Sequence, residues 1–256
     1  MSDWDSRQYL RFEKERTQPA RDLAARLTVR NPKKIVDIGC GPGNSTQVLA
    51  EKYPDARVIG ADSSLAMIET ARKDHPELEF TLCDANRDLS SLGEDFDIVF
   101  SNACIQWIPD HEKLIPNMLA LLKKGGELAV QTPYNFTEPV HIITDQIAAS
   151  NKWKEYNCFG REFYNLTPGG YFDLLLGIAT EFDIWEVAYY HRMRTHRDIL
   201  DWYRSTGLRP YLNVLPEDKK EAFERDFLAE IKKEYTVQRS GDILFKFPRL
   251  FFMAVK

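Results

Sequence analysis

The 256-residue sequence has few cysteines and no pairing among them. Cys40, Cys83, Cys104 and Cys158 stand apart, with no CxxC spacing. That excludes a disulfide framework or a zinc ribbon as the organising device, and it fits reduced thiols in a cytoplasmic protein. Long apolar runs are missing too: nothing approaches the ~20 residues that a spanning helix needs. The charged opening, MSDWDSRQYLRFEKERTQP, lacks the apolar stretch of a secretory signal. Basic charge does not dominate, since 34 Lys and Arg face 39 Asp and Glu for a net −5. A nucleic-acid partner is therefore not expected, although a local basic pocket for a small anion is compatible with that total. Repeats and low-complexity segments are absent. No His–Asp or Ser–His pairing marks a general base, and no ligand cluster marks a metal.

What is present is an alternation. Apolar runs at 34–38, 57–61, 79–83, 97–101 and 127–132 predict five strands, bounded by Gly, Pro, Asp or Asn. Helical spacing fills 45–53, 64–75 and 111–123 between them. Strands alternating with helices imply an α/β, doubly wound, mostly parallel sheet with right-handed crossovers. Continuous rather than alternating apolar runs fit strands covered on both faces. After residue 132 the pattern loosens. A strand is expected at 181–191, a charged helical stretch at 197–235, and a last strand at 243–255. Pro248 marks that last strand as an edge or interrupted one. The late strands suggest a sheet closed by an antiparallel pair.

The chemistry is written most plainly at residues 36–44, VDIGCGPGN. A strand runs into Gly39, Gly41 and Gly43 and then into a helix. Glycine lets backbone turn tightly and approach a ligand. The helix N-terminus behind it offers free N–H groups. Asp62 closes the second strand, nineteen residues beyond Gly43, where a carboxylate can accept both ribose hydroxyls of a nucleoside. Asp84 closes the third strand, in reach of an adenine amino group. Taken singly, Asp62 could be a helix cap and Asp84 an ordinary loop acid; together with the loop they point to a nucleoside cofactor. A dinucleotide fingerprint puts its third glycine five residues after the first; here the distance is four, which disfavours a nicotinamide-dependent oxidoreductase.

That spacing, with the strand acid Asp37, the segment DIVFSN followed by Gln106-Trp107, and LKKGGEL before the fifth strand, resembles the class I methyltransferases that use S-adenosylmethionine (AdoMet). The resemblance implies a seven-stranded Rossmann-like sheet and AdoMet as cofactor. It implies that Asp37, Gly39, Cys40, Gly41 and Gly43 flank the methionine portion. Asp62, Ser63 and Met67 would hold the sugar and adenosine, and Asp84 and Ala85 the adenine. Asn102, Ile105 and Trp107 would lie beside the sulfonium. Cys40 is read as a small loop residue without catalytic duty.

A narrower likeness spans nearly the whole chain. It rests on the opening segment and on NACIQWIPDH, DIWEVAYYHRM, DWYRSTGLRPYL and ILFKFPRLFFMAVK. These resemble the family of carboxyl methyltransferases that act on trans-aconitate. The resemblance implies a monomethyl ester product, a small tricarboxylate substrate and no catalytic base, because a carboxylate is already ionised at neutral pH. Cations and hydroxyls must then hold the carboxylates that do not react. The candidates are Tyr9, Tyr134, His141, Tyr190, Arg209 and Arg249, with Arg209 favoured. Another small acid or an amine remains open as the acceptor, as does a non-catalytic AdoMet binder.

The expected organisation is one methyltransferase domain, a monomer without membrane or nucleic-acid partners. Its core is 32–133 with 181–191 and 243–256. Residues 1–30 form a helical segment or lid, and 134–180 with 192–242 form a helical cover over the substrate.

Overall fold

Strand β1 (Lys34–Ile38) reads KIVDI and buries all but its first residue. β2 (Arg57–Asp62) and β4 (Phe96–Asn102) are as apolar and as enclosed. β3 (Glu79–Leu82) is short and half exposed. These four, with β5 (Leu122–Pro133), pair in parallel. β7 (Ile243–Val255) runs antiparallel to β5. With β6 (Glu181–Met193) they make one seven-stranded sheet in the order β3-β2-β1-β4-β5-β7-β6. The chain leaves β1 toward β3 on one side, then restarts at β4 on the other. The crevice beyond the carboxyl ends of β1 and β4 is therefore the topological switch point, where open α/β sheets take ligands.

This computed structural model describes residues 13–156, 163–204 and 206–256. Trp4, Arg7, Tyr9, Phe12 and Cys158 lie outside the described residues. Two compact units emerge. The first holds 14–133, 163–187 and 249–256, and thus most of the sheet. It includes α1 (Glu13–Arg26) from residue 14, α2 (Asn44–Lys52), α3 (Leu65–Asp74), α4 (His111–Ala120) and α6 (Pro168–Leu176). Tyr171 of α6 sits on Phe252 of β7, with ring centroids 4.8 Å apart, and its hydroxyl meets His111 Nδ1 at 2.7 Å. The second unit's described residues fall within 134–156 and 188–248. There α5 (Pro139–Ala149), α7 (His196–Arg204), α8 (Arg209–Val214) and α9 (Glu217–Glu234) enclose a core of their own. Trp153, Trp202, Tyr203, Phe223, Phe227 and Phe245 are its large buried members.

Three elements differ from expectation. β5 begins at Leu122, ahead of the expected 127, so the KKGG segment lies within the strand. Its register slips between Phe96 and Ile98. Gly125, at φ 75°, donates to the carbonyl of Lys256, whose own N–H returns to Gly126. The chain's end thus holds the slip in place. β7 is not an edge strand: it lies between β5 and β6. Pro248 is tolerated because the ladder to β5 runs from Arg249 onward, so no bond of that ladder is lost at the proline. Finally, the stretch 197–235 breaks into three helices. A Cβ on Gly207 would lie 2.0 Å from the Tyr203 ring, and Pro210 opens α8 in its first turn. No helix among the described residues is long and apolar enough to cross a membrane.

Candidate active site

The glycine loop is closed by backbone. Gly39, Gly41 and Gly43 have φ of +74°, +55° and +98°, a region that L side chains rarely adopt. The N–H groups of Gly39 and Cys40 both donate to the Ala61 carbonyl, at 2.7 and 3.1 Å, which stitches the loop to the end of β2. A Cβ on Gly39 would fall 2.1 Å from Cys104 Sγ, so the loop lies against the segment that follows β4. Asp62, last in β2, accepts from the Gly41 N–H at 2.9 Å and from the Ser64 N–H at 2.8 Å. Burial raises its carboxyl pKa and these backbone donors oppose the rise. Each carboxylate oxygen keeps a second lone pair, so the acid can hold the loop and still receive hydroxyls. The cap of α3 is Ser64, whose Oγ accepts from Met67 N at 3.4 Å. Ser63 beside it is exposed and Met67 half buried.

Asp37 is fully buried beneath the loop. Its Oδ2 accepts from Ser45 Oγ at 2.6 Å and Thr46 Oγ1 at 2.7 Å, both in the first turn of α2. Its Oδ1 meets no donor among the described residues. Burial lifts its pKa to about 6 against the two hydroxyl bonds, with Asp62 adding repulsion. The nearby thiols are inert. Burial and the two acids push Cys40 far up and Cys104 to about 12, so neither is a thiolate at neutral pH.

The remaining cofactor candidates line the same edge. Asn102 ends β4, half buried, and its Oδ1 has no partner among the described residues. Ile105 and Trp107 form a single 3-10 turn after it. Ile105 is buried, and Trp107 lies against Phe163 with centroids 5.3 Å apart. Asp84 follows β3, accepts from Asn86 N at 3.0 Å and pairs with Arg87 at 3.3 Å; Ala85 is half buried beside it.

A polar group of which the sequence reading singled out only Arg249 gathers at the end of β5 and the middle of β7. Gln131 is fully buried and Arg249 is 4% exposed, and the guanidinium Nη1 donates to Gln131 Oε1 at 3.2 Å. Nε2 of Gln131 finds no acceptor among the described residues. On the opposite face, Thr132 Oγ1 lies 3.2 Å from both Gln106 Oε1 and Asn165 Oδ1, and Asn165 Nδ2 donates to the Pro133 carbonyl at 2.7 Å. The signal for Gln131 was one polar residue inside the run LAVQT, too slight to single out.

The substrate candidates are divided between the two units. Arg249 belongs to the first unit, beside Gln131. Tyr134, His141, Tyr190 and Arg209 belong to the second. Tyr134 packs edge-on against Phe136. His141 Nδ1 meets Tyr203 OH at 2.7 Å, and burial lowers its pKa to about 4. Tyr190 is 60% exposed on β6. Arg209 is half buried at the start of α8. Tyr9 lies outside the described residues. No cluster of three His, Cys, Asp or Glu side chains suits a metal among the described residues.

A methyltransferase-domain family matches residues 35–126, from β1 into β5. The YcgJ protein of Bacillus subtilis has the same fold at a TM-score of 0.61 and 15% identity, covering 93% of this chain and 98% of its own. A geranyl diphosphate methyltransferase in complex with AdoMet follows at 0.55 and 14%, covering 98% of this chain and 90% of its own. The fold and the glycine loop are those of a class I methyltransferase. A trans-aconitate 2-methyltransferase from Methylobacterium radiotolerans is 43% identical over 260 residues, which span 100% of this chain and 99% of that one. The chain belongs to the trans-aconitate 2-methyltransferase family.

Proposed function

We propose that this protein transfers the methyl group of AdoMet to one carboxylate of trans-aconitate, leaving the monomethyl ester and S-adenosylhomocysteine. The observation that carries the reading is the full-length 43% identity to an enzyme of that name, joined to a β1–glycine loop–Asp62 arrangement at the switch point. In this reading Gly39 to Gly43 take the methionine end of the cofactor, with Asp37 beneath them. Asp62 receives the ribose hydroxyls. Asp84 and Ala85 face adenine, with Ser63 and Met67 along the nucleoside. The Asn102 oxygen, together with Ile105 and Trp107, lies beside the cationic sulfur.

The substrate oxygen attacks the methyl carbon as the carbon–sulfur bond breaks, and the electron pair goes to sulfur. No proton moves, so no base is required. The rate is then a matter of alignment, and holding two reactants in line can supply ~7–11 kcal/mol of the barrier. Anion and sulfonium become ester and thioether, so a site poor in water favours the step. Arg249 is the buried cation of the first unit for a carboxylate that does not react, and Arg209, His141, Tyr134, Tyr190 and Tyr9 are the further candidates. The reading includes a monomer and a cytoplasmic location, and the free thiols Cys40, Cys83 and Cys104 agree with a reducing compartment.

The test is methyl-labelled AdoMet with a panel of small acids and amines. Label in a base-labile ester of trans-aconitate supports the reading, and label on an amine alone overturns it.

A further inference from the structure

The turn that follows β4 is tied to two other segments. Ala103 adopts φ 54°, a region that L side chains rarely enter, and such strain persists only where the neighbours over-determine it. Its N–H donates to the Gln131 carbonyl at 2.9 Å, and its carbonyl accepts from Gln106 Nε2 at 2.7 Å. Gln106 is 2% exposed. With Nε2 on Ala103, its Oε1 is the acceptor that meets Thr132 Oγ1 at 3.2 Å. Asn165 reaches the same hydroxyl. Its Nδ2 donates to the Pro133 carbonyl at 2.7 Å, so its Oδ1 is the oxygen 3.2 Å from Thr132 Oγ1. A hydroxyl has one proton, and here two oxygens of fixed sense share it. The two residues before Asn165 bind the turn itself. The Tyr164 N–H donates to the Gln106 carbonyl at 3.3 Å, and the Phe163 and Trp107 ring centroids are 5.3 Å apart. Segment 163–165 is thus fastened to the turn at one end and to the end of β5 at the other.

We infer that Asn165 is a positioning residue for methyl transfer: anchored on Thr132 and Pro133, it holds Phe163 and Tyr164 on the Ile105–Trp107 turn and so fixes that turn. This rests on the AdoMet reading above, which lays the turn beside the sulfonium, and deepens it. The reaction moves no proton, so its rate depends on the alignment of sulfur, methyl carbon and attacking oxygen. A misplacement of ~1 Å can cost ~100-fold in such a step. Asn165 acts through its neighbours. Its amide anchors the segment, Phe163 carries that anchorage to Trp107, and the shared Thr132 hydroxyl carries it to the side chain of Gln106. Loss of the anchor leaves the cofactor's binding groups in place and loosens the wall beside the reacting atoms.

The experiment compares wild type with Asn165→Leu, Thr132→Val, Thr132→Ser and the double variant Asn165→Leu/Thr132→Val. Steady-state kinetics use methyl-labelled AdoMet and trans-aconitate. Calorimetry gives the AdoMet affinity and counts the binding sites, so that kcat is expressed per competent site and misfolded protein does not enter. Asn165→Leu and Thr132→Val should each lower kcat per site ~10–100-fold, while KM and AdoMet affinity stay within about threefold, the pattern of lost alignment rather than lost binding. Thr132→Ser keeps the hydroxyl and should recover most of what Thr132→Val loses. The double variant should lose less than the product of the two single losses, because both remove one shared contact. A kcat per site within about twofold of wild type in both Asn165→Leu and Thr132→Val overturns the inference. So does a loss that appears as weaker AdoMet or acid binding with kcat kept, or a Thr132→Ser variant as impaired as Thr132→Val. If wild type itself transfers no methyl group from AdoMet, the reading beneath fails, which is a separate result visible before any variant is made.

Discussion

At the scale of single residues, Asp62 has two duties that a substitution can separate. Its carboxylate ties Gly41 to the start of α3, and in the proposed reading it also grips the ribose. Asp62→Ala should weaken AdoMet by ~1.5–3 kcal/mol through lost charged hydrogen bonds. Titration calorimetry reads this directly, and near-native affinity would place the ribose elsewhere. Gly39 is constrained more tightly. Its φ of +74° is costly for alanine, by ~1–2 kcal/mol, and the added carbon meets the Cys104 side chain at 2.1 and 2.3 Å. Gly39→Ala should lower the melting temperature and abolish measurable AdoMet binding. Adding Cys104→Gly should recover part of the melting temperature, since it removes the clash and leaves the dihedral strain.

Among the elements, the junction of β1 and α2 carries a pH signature. Asp37 has a folded pKa of about 6 against an ordinary 3.8, so the native state holds its proton more firmly than the unfolded chain does. Its contribution is therefore full below pH ~4 and is lost as pH rises toward 6, by up to ~3 kcal/mol. Asp37→Asn should abolish that decline while keeping an acceptor for Ser45 and Thr46. Urea melts between pH 4 and 7.5 test it, and a slope like that of wild type would refute the assignment. A glycine has the corresponding role at the α7–α8 break. Gly207→Ala would drive a methyl into Tyr203, whose ring stacks on Phe227 at 5.7 Å. A loss of ~1–3 kcal/mol is expected from such overpacking, measured by the same melts.

For the molecule as a whole, one buried group in each unit responds to acid in the opposite sense. His141 in the second unit has its pKa lowered to about 4 by burial, so its contribution is present above pH 6.5 and lost as pH falls toward 4. Asp37 in the first unit acts in the reverse sense over the same window. In a single cooperative transition the two offset each other; in separate transitions each unit shows its own slope. Calorimetric scans at pH 4.5 and 7 should therefore show either one peak with little pH dependence from this pair or two peaks moving apart. Where two peaks appear, linkage predicts that saturating AdoMet raises only the transition of the unit that binds it.

How much of this was legible in the sequence depends on the range of the interaction. The glycine loop, Asp37 and Asp62 lie within 26 residues of one another, and a strand, a turn and a helix start are local events that residue spacing encodes. The alternation of apolar runs likewise declared the parallel sheet, because burial on both faces leaves its mark on every strand. The place of β7 inside the sheet could not be read that way: a proline forbids one ladder bond, and only the partner strand's register tells whether that bond was needed. Nor could Gln131 and Arg249 be joined in advance. They are 118 positions apart, each is a lone polar residue in an apolar run, and pairing across a sheet leaves no local periodicity. The sequence by itself settled which cofactor chemistry the chain is built for. Tertiary structure decided which buried polar groups meet one another, because a hydrogen bond between distant strands exists only once the whole sheet has set their register.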